Sequence, residues 1–342
     1  RVLAAGTLTQ VARHVSGLAS LPRATPAAWV KQDSQIPCMA DVAGQHTARR
    51  VLEIAASGGH SVLFSGPPGT GKSMLAHRLP GLLPPLDHTQ RLQVAAIAGL
   101  CGDESSGIGC EAPFRAPHHS ISVAALVGGG ARPRPGEITR AHHGVLFLDE
   151  LPQFSRVAID ALREPLETGQ VVIARSRLTA VFDARFQLIA AMNPCPCGWH
   201  GHTVRHCRCT PDQIARYLQR VSGPFIDRVD MHYPFPAVDS DWLSAPRGEP
   251  SSAIHPRVMA CRQRQMDRQA CVNAALGAPA LAEHATPDKP GQLLLRQAVE
   301  RWGWSARAIH RRLRVARTLA DMAASKGVTA EHVAEALQYG QR

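Results

Sequence analysis

Gly-Pro-Pro-Gly-Thr-Gly-Lys-Ser, residues 66–73, is the stretch that decides the fold of this 342-residue chain. It matches the phosphate-loop pattern G-x-x-x-x-G-K-[ST] at every specified position. The short run Ser61-Val62-Leu63-Phe64 before it predicts a buried strand, and residues 74–79 after it predict a helix. A strand, a glycine-rich loop and a helix in this order favour a nucleotide site over a simple glycine- and proline-rich turn.

The residue types in this loop suit the binding of a nucleotide phosphate. Glycines let backbone N–H groups turn toward a β-phosphate, and the N-terminus of the following helix adds its dipole. Lys72 is expected to reach the β- and γ-phosphates, and Ser73 is expected to bind Mg2+. The predicted nucleotide-binding residues are Gly66, Pro67, Pro68, Gly69, Thr70, Gly71, Lys72, Ser73 and Met74.

Two later apolar runs end in polar side chains that suit the same site. Residues 144–150 predict a strand that ends in Asp149 and Glu150. Asp149 would bind Mg2+, directly or through water, and Glu150 would act as general base on the attacking water. Residues 187–193 predict a third strand, whose last residue, Asn193, either orients the attacking water or forms a turn before the next proline.

Four of the nine cysteines lie in residues 195–209 as two C-x-C pairs, Cys195 with Cys197 and Cys207 with Cys209. This pattern predicts a small knuckle folded around a tetrahedral zinc ion. Such a zinc would be structural, because cysteine fills all four ligand positions. Two disulfides are the alternative, which a reducing compartment disfavours. Histidines between the pairs are alternative ligands for one position: His200, His202 and His206.

Composition and charge restrict the class of protein. The chain has 38 Lys and Arg residues against 27 Asp and Glu, a formal net charge of +11 that suits a polyanionic partner such as nucleic acid. Charge alone does not exclude an ordinary basic protein. No run is long and apolar enough to span a bilayer, and no secretory signal is visible, so we expect no membrane partner and a cytoplasmic location. The first residue is Arg1 rather than Met, from which we expect an N-terminal truncation.

The remaining stretches predict helices around two unusual insertions. Residues 101–136 are interrupted by glycine and proline and are predicted to be a mobile basic loop. Within it, His118 and His119 are expected to point to opposite faces of a strand and to take polar packing or hydrogen-bonding roles. Residues 170–182 predict a hairpin with Arg175 and Arg177 near its tip, where they either are solvated or contact phosphate.

Arg228 lies between Asp227 and Asp230, either as a local ion pair or as an arginine finger for the γ-phosphate of a neighbouring subunit.

Other helices and a linker are predicted from hydrophobic periodicity and from the positions of proline. A polar linker is predicted over residues 237–256. Helices are predicted over residues 8–18, 47–56, 90–100, 156–168, 212–220, 257–273, 290–302, 305–325 and 329–339.

The order of these elements resembles AAA+ ATPases, from the phosphate loop to a helical lid that contains Ser305-Ala306-Arg307. Four stretches resemble more closely the ComM/YifB proteins, a magnesium-chelatase-like bacterial AAA+ group: residues 66–85, 114–122, 133–152 and 187–198. The resemblance runs from about Asp41 to Tyr339. It implies an α/β P-loop fold with a parallel central sheet, a helix-2 insertion, a pre-sensor-1 hairpin and a C-terminal helical lid.

The resemblance also implies residue roles. Lys72 and Ser73 match Walker A, Asp149 and Glu150 match Walker B, Asn193 matches sensor 1, Arg228 matches the arginine finger and Arg307 matches sensor 2. Residues 101–136 match the helix-2 insertion and residues 171–186 the pre-sensor-1 hairpin, and both insertions line the pore in related ring motors. Candidate DNA contacts are therefore Arg132, Arg134, Arg175 and Arg177.

Function and domain organisation are expected from the same resemblance. Residues 1–36 would be the remnant of a Lon-protease-like N-terminal domain with a linker, residues 37–240 the AAA+ core and residues 241–342 the lid. The expected activity is an ATP- and Mg2+-dependent hexameric DNA translocase or helicase that promotes branch migration during natural transformation. Expected partners are DNA, further copies of the chain, and recombinase and competence proteins.

Two other functions belong to different classes. One is an AAA+ chaperone-like remodeller, such as the ATPase subunit of a metal chelatase, which would bind a protein partner and no DNA. The other is a non-enzymatic DNA-binding scaffold, which would need inert nucleotide motifs. Lys72 and Glu150 argue against the scaffold.

Overall fold

The computed structural model describes residues 2–24, 36–103, 109–130, 133–175, 178–236 and 245–340. The strands are β1 (Val62–Ser65), β2 (Phe114–Arg115), β3 (Gly128–Gly129), β4 (Arg134–Pro135), β5 (Val145–Leu148), β6 (Gln170–Arg175), β7 (Leu178–Asp183), β8 (Gln187–Met192) and β9 (Met231–Pro234). The helices are α1 (Leu8–Val15), α2 (His46–Gly58), α3 (Lys72–Ala76), α4 (His88–Cys101), α5 (Val123–Val127), α6 (Glu137–Arg140), α7 (Arg156–Ala161), α8 (Arg163–Thr168), α9 (Pro211–Leu218), α10 (Gly223–Ile226), α11 (Ser251–Gln269), α12 (Ala278–His284), α13 (Lys289–Trp302), α14 (Ala306–Met322) and α15 (Ala330–Gln338).

A parallel five-stranded sheet lies at the centre, in the spatial order β2-β5-β8-β1-β9. Every residue of β5 and β8 is buried, as is typical of interior strands that have both faces covered. Because the carboxyl ends of parallel strands meet at one edge, the residues that follow β1, β5 and β8 are brought together there. The predicted α/β fold with a parallel central sheet is therefore confirmed.

Alternating side chains of these strands divide between two apolar cores. Val62 and Phe64 of β1 pack in one core, with residues of α2, α11, α14 and α15. Leu63 packs in the other core, with residues of α5 and α7. This alternation follows from the period of two in an extended chain, which sends neighbouring side chains to opposite faces.

Helix α11 begins inside the stretch predicted to be a linker. It spans Ser251–Gln269 and includes Pro256, so the linker prediction over residues 251–256 is wrong. Ile254 is 2% exposed and packs in the core that contains α2. This burial, together with a 2.7 Å ion pair between Arg257 and Glu53, favours helix although Pro256 lacks an N–H group to donate.

The single helix predicted over residues 156–168 is interrupted at Leu162, where α7 gives way to α8. The N–H of Leu162 donates to the carbonyl of Ile159 at 3.2 Å, a tighter turn than the α-helical spacing. Pro165 has no N–H to donate to the carbonyl of Ala161. The proline therefore explains why the helix does not run through.

Residues 101–136 are not one mobile loop in the part that the structure describes. They include β2, which pairs in parallel with β5, as well as α5 and the antiparallel pair β3–β4. Arg115 in β2 forms a bidentate ion pair with Glu137, with Nε to Oε2 at 2.6 Å. Phe114 beside it packs against the core, so packing and ion pairing order a stretch whose composition predicted a loop.

The structure describes little of the predicted DNA-contact set. Arg134 is exposed in β4. Arg132 and Arg177 lie outside the described residues, as does the side chain of Arg175. The hairpin that carries the latter two is present as β6 paired with β7.

The C-terminal helices contact the sheet region through buried polar groups. Ser305 caps α14 by accepting from the N–H of Ala308 at 3.3 Å. Nε2 of His60, just before β1, lies 2.7 Å from the hydroxyl of Thr318 in α14. Across the described ranges, none of the helices combines the length and apolar character that crossing a membrane requires.

Candidate nucleotide site and cysteine cluster

The phosphate loop connects the end of β1 to the first residue of α3. Gly69 and Gly71 have φ angles of 78° and 87°, which glycine adopts without the strain that a side chain brings. A Cβ on Gly71 would lie 3.1 Å from Met74 and 3.3 Å from Gln45. The loop thus has the backbone freedom and close packing that wrapping a phosphate requires.

Lys72 lies inside the loop. Its ammonium donates to the carbonyls of Gly66 at 2.8 Å and Pro67 at 2.6 Å, and to Oδ1 of Asn193 at 3.2 Å. Burial lowers the pKa of Lys72, while the charge of Asp149 opposes the shift. A phosphate in the loop would offer this desolvated cation an anionic acceptor in place of neutral carbonyls.

Ser73 and Asp149 meet across the sheet edge. The Ser73 hydroxyl donates to Oδ2 of Asp149 at 2.5 Å. A hydroxyl and a carboxylate are hard oxygen ligands of the kind that Mg2+ takes beside nucleotide phosphates. The donor set at the end of β5 and the start of α3 therefore fits a magnesium–nucleotide complex.

Glu150 follows Asp149 in a left-handed conformation, with φ of 51°. Its side chain is 56% exposed, and its carboxylate lies 3.5 Å from Nδ1 of His119. An exposed carboxylate beside the candidate magnesium ligands Ser73 and Asp149 is placed to accept a proton from water. The sequence did not indicate the contact between Glu150 and His119, because His119 lies in a separate stretch, the insertion at residues 101–136.

His118 and His119 do not point to opposite faces, so that prediction is wrong. Their ring centroids lie 4.0 Å apart. The reason is that β2 ends at Arg115 and the two histidines lie in the turn beyond it. Nδ1 of His118 lies 2.8 Å from the hydroxyl of Ser120.

Two further residues support the site, and the motifs did not identify them. Nε2 of Gln45 donates to the carbonyl of Thr70 at 2.9 Å and so braces the phosphate loop. Tyr217 of α9 is 7% exposed. Burial raises the pKa of its phenol to about 12, against a hydrogen bond with the backbone of Asn193. Tyr217 therefore packs neutral beside the end of β8.

Arg228 and Arg307 meet at a third residue, Glu167 of α8. Arg228 has an 11% exposed side chain, and its Nη2 lies 2.8 Å from Oε1 of Glu167. Arg307 is 67% exposed and lies 3.6 Å from the same oxygen. The two arginines thus share one carboxylate, which the sequence did not indicate.

The acids beside Arg228 in the chain pair with other groups. Asp227 lies 3.6 Å from Arg311, and Asp230 accepts from the N–H of Ser61 at 3.0 Å. The interpretation of Arg228 as a local ion pair with its flanking acids is therefore wrong. Its partner comes from a helix some sixty positions earlier in the chain.

The four cysteines form a compact cluster. Their sulfur atoms all lie within 4.8 Å of one another: Cys195, Cys197, Cys207 and Cys209. The three separations among the sulfurs of Cys195, Cys197 and Cys207 are 3.4 to 3.6 Å, near the ~3.8 Å expected for a zinc tetrahedron with Zn–S of about 2.3 Å. They are far above the roughly 2.05 Å of a disulfide, and the thiols are free.

The cysteine cluster is chemically suited to a metal and lies against the phosphate loop. Backbone N–H groups of Trp199 and Arg208 lower the pKa of Cys197 to about 6. The pKa of Cys207 and that of Cys209 are raised, against backbone hydrogen bonds, by desolvation and by the neighbouring thiols, so Cys197 is the first of these three to form the thiolate that zinc binds. Gly198 has φ of 84°, and a Cβ there would lie 2.6 Å from Cδ of Pro68. The cysteine knuckle, residues 195–209, therefore packs on the phosphate loop at Pro68.

Comparison with known proteins places these features in a wider group. Residues 38–243 match the family described as magnesium chelatase, subunit ChlI, and residues 248–340 match its C-terminal family. The chain is 46% identical over 340 residues to the uncharacterized protein YifB of Escherichia coli, covering 98% of this chain and 67% of that protein. It is 43% identical over 345 residues to competence protein ComM of Haemophilus influenzae, with the same coverages. It is also 26% identical over 219 residues to the magnesium-chelatase 67 kDa subunit of Heliobacterium mobile, covering 55% of this chain and 31% of that protein.

Proposed function

Because the chain belongs to the ComM/YifB family of magnesium-chelatase-like AAA+ proteins, we propose that it hydrolyses ATP to move DNA and so drives branch migration. One observation carries the ATPase half of the proposal: Lys72, Ser73 and Asp149 converge at the edge of the parallel sheet. The relative named as a competence protein supports the DNA half.

Each residue of the site has a defined part in the proposed hydrolysis. Bound Mg–ATP would supply the phosphoanhydride that is cleaved. Lys72 would balance phosphate charge, Ser73 and Asp149 would hold the magnesium, and Asn193 would orient the water. The carboxylate of Glu150 accepts the proton that the water loses.

Arginine would complete the site from a neighbouring copy in a hexameric ring. Arg228 is the proposed finger, and Arg307 lies beside it on Glu167. A guanidinium at the γ-phosphate stabilises the charge that develops in phosphoryl transfer. In this proposal the nucleotide of the neighbouring subunit competes with Glu167 for the guanidinium groups of Arg228 and Arg307.

The net charge of +11 supports DNA as the partner. Binding to the phosphate backbone would be nearly independent of sequence and would weaken steeply with salt. Exposed Arg134 in the insertion is a candidate contact, and Arg132, Arg175 and Arg177 remain predictions. Recombinase and competence proteins are further proposed partners.

Strand exchange on a synthetic Holliday junction tests the motor. With ATP the unmodified chain should migrate the junction, whereas Lys72→Ala should lose hydrolysis by on the order of a hundredfold or more, because the phosphate charge is no longer balanced. Exposed Lys289→Ala is the matched control and should behave like the unmodified chain. Migration by Lys72→Ala at the normal rate would overturn the motor.

The alternative is a protein remodeller like a metal-chelatase ATPase subunit, which the similarity to the magnesium-chelatase subunit supports. It predicts ATP hydrolysis without DNA binding. An electrophoretic shift with single-stranded DNA at low and moderate salt separates the two. Retardation that weakens with salt supports the motor, and no retardation at low salt supports the remodeller.

We also propose that the cysteine knuckle holds one structural zinc ion. Cys197→Ser should release about one zinc per chain and destabilise the fold locally, because metal binding is coupled to folding. Cys271→Ser, outside the cluster, should retain the metal. Elemental analysis that finds no zinc in the unmodified protein would contradict the proposal.

A further inference from the structure

The tip of the cysteine knuckle, residues 198–206, presents planar and cationic side chains together. The guanidinium of Arg205 lies 4.3 Å from the ring centroid of Trp199. The ring of His202 meets the same indole edge-on, with centroids 5.1 Å apart. Arg205 is exposed, and Val204 beside it is 80% exposed. Trp199 and His202 are half-buried, so the exposed guanidinium of Arg205 covers rings that solvent reaches only in part.

Along the sequence, the charged residues of this tip are all basic. No acidic residue lies between Asp183 and Asp212, a stretch that contains Arg205 and Arg208 as well as the histidines of the tip. Arg205 stacks on an aromatic ring, the arrangement that also receives unpaired nucleobases.

We propose that the knuckle tip binds single-stranded nucleic acid, with an unpaired base stacked on Trp199 and Arg205 and the backbone phosphates near the basic residues. The inference rests on the proposed function in taking DNA as the polyanion. Charge complementarity selects this partner, because a cationic tip without acids suits a phosphate backbone. The proposed contact lies outside residues 101–136 and 171–186, the two insertions that are expected to line the pore.

The tip is connected to the phosphate loop through the cysteine cluster at its base. The cysteines hold both ends of the tip within a cluster whose sulfurs lie inside 4.8 Å. Gly198 at its base packs on Pro68 of the phosphate loop. The base of the tip therefore contacts the phosphate loop directly.

The test is the affinity for a fluorescein-labelled 20-mer of thymidine, measured by anisotropy at fixed salt. Trp199→Ala should weaken binding by at least about fivefold, since one base–aromatic stack is lost. Trp199→Phe keeps an aromatic face and should retain most of the affinity. The lid offers a matched control, Trp302→Ala, whose ring lies 5.7 Å from the guanidinium of Arg301. This control should bind like the unmodified chain, and zinc content should be the same in all variants.

A second pair of ligands isolates stacking from charge. On an abasic strand of equal length the difference between Trp199→Ala and the unmodified chain should vanish, and on a blunt duplex it should be small. Equal losses on all three ligands would overturn the stacking contact. If Trp199→Ala binds the thymidine 20-mer as tightly as the unmodified chain does, the inference is overturned, while the proposed DNA motor function is unaffected. An unmodified chain that binds none of the ligands would overturn the proposed function as well.

Discussion

His142 is a buried residue whose charge the fold restricts. It is 2% exposed, and its Nδ1 accepts the N–H of Arg185 at 3.0 Å. Burial, with a smaller contribution from His143, lowers the pKa of His142 to about 4. Protonation of Nδ1 would remove the acceptor that Arg185 uses, so the neutral ring is the form that the fold holds.

The free energy of unfolding should therefore fall at acidic pH, over a range of pH that the folded and unfolded pKa values of His142 define. Its pKa is about 4 in the folded chain and near 6.5 unfolded, so the unfolded state binds more protons between these values. The free energy of unfolding should drop as pH falls from 6.5 toward 4, by about 2 kcal/mol at pH 5 from this residue.

Urea unfolding at pH 7.5 and pH 5 measures this loss. His142→Asn does not titrate, and its Oδ1 can accept the same N–H. The loss between the two pH values should be smaller in this variant than in the unmodified chain. An equal loss would show that other groups control the acid sensitivity.

Among the structural elements, the cysteine knuckle and the phosphate loop form one packed unit. They join where Gly198 meets Pro68, and the strand β8 that precedes the knuckle also positions Asn193. Because protein interiors are closely packed, a displacement of the knuckle is transmitted to the loop. If the knuckle holds zinc and the loop binds ATP as proposed, the two sites are expected to depend on each other.

Gly198→Ala should impair ATP hydrolysis while leaving zinc in place. The new Cβ would lie 2.6 Å from Cδ of Pro68 and push the phosphate loop out of position. A displaced loop should lower kcat/KM for ATP by on the order of tenfold or more. Gly201→Ala shares the left-handed backbone, with φ of 76°, but its Cβ would meet nothing within 4 Å. Steady-state kinetics of the two variants separate the effect of the clash from the effect of backbone strain. Equal losses of kcat/KM in both variants would contradict the coupling between the knuckle and the phosphate loop.

In the whole molecule, the placement of Arg228 and Arg307 bears on how copies would cooperate. Both contact Glu167, and none of their described contacts involves Lys72, Ser73 or Asp149. If Arg228 acts on a neighbouring nucleotide, its neighbour Arg307 acts there too. The lid would then contribute Arg307 to the nucleotide of the adjacent subunit rather than to the nucleotide of its own subunit.

Mixing inactive variants tests this arrangement. Lys72→Ala mixed with Arg228→Ala should regain ATP hydrolysis, because some interfaces then combine an intact loop with an intact finger. Lys72→Ala mixed with Arg307→Ala should recover as well. A mixture of Arg228→Ala and Arg307→Ala should stay inactive, since the subunit that reaches each nucleotide then lacks one of the two arginines. Recovery in the first and third mixtures, but not in the second, would assign Arg307 to its own nucleotide.

The sequence by itself determined the elements whose signal is local. The phosphate loop between a strand and a helix, the apolar strands before Asp149 and Asn193, and the two C-x-C pairs follow from residues a few positions apart. Backbone freedom at glycine, hydrophobic periodicity and ligand spacing act over that range. The parallel α/β fold and the candidate ATP and zinc sites could therefore be predicted.

Only the tertiary structure decided which distant side chains meet. It placed His119 on Glu150, Glu167 on two arginines and Gly198 on Pro68. It also extended α11 through Pro256, because burial of one face outweighs a missing hydrogen bond. Such contacts depend on the order of strands and the packing of helices, and neither is encoded in the spacing of neighbouring residues.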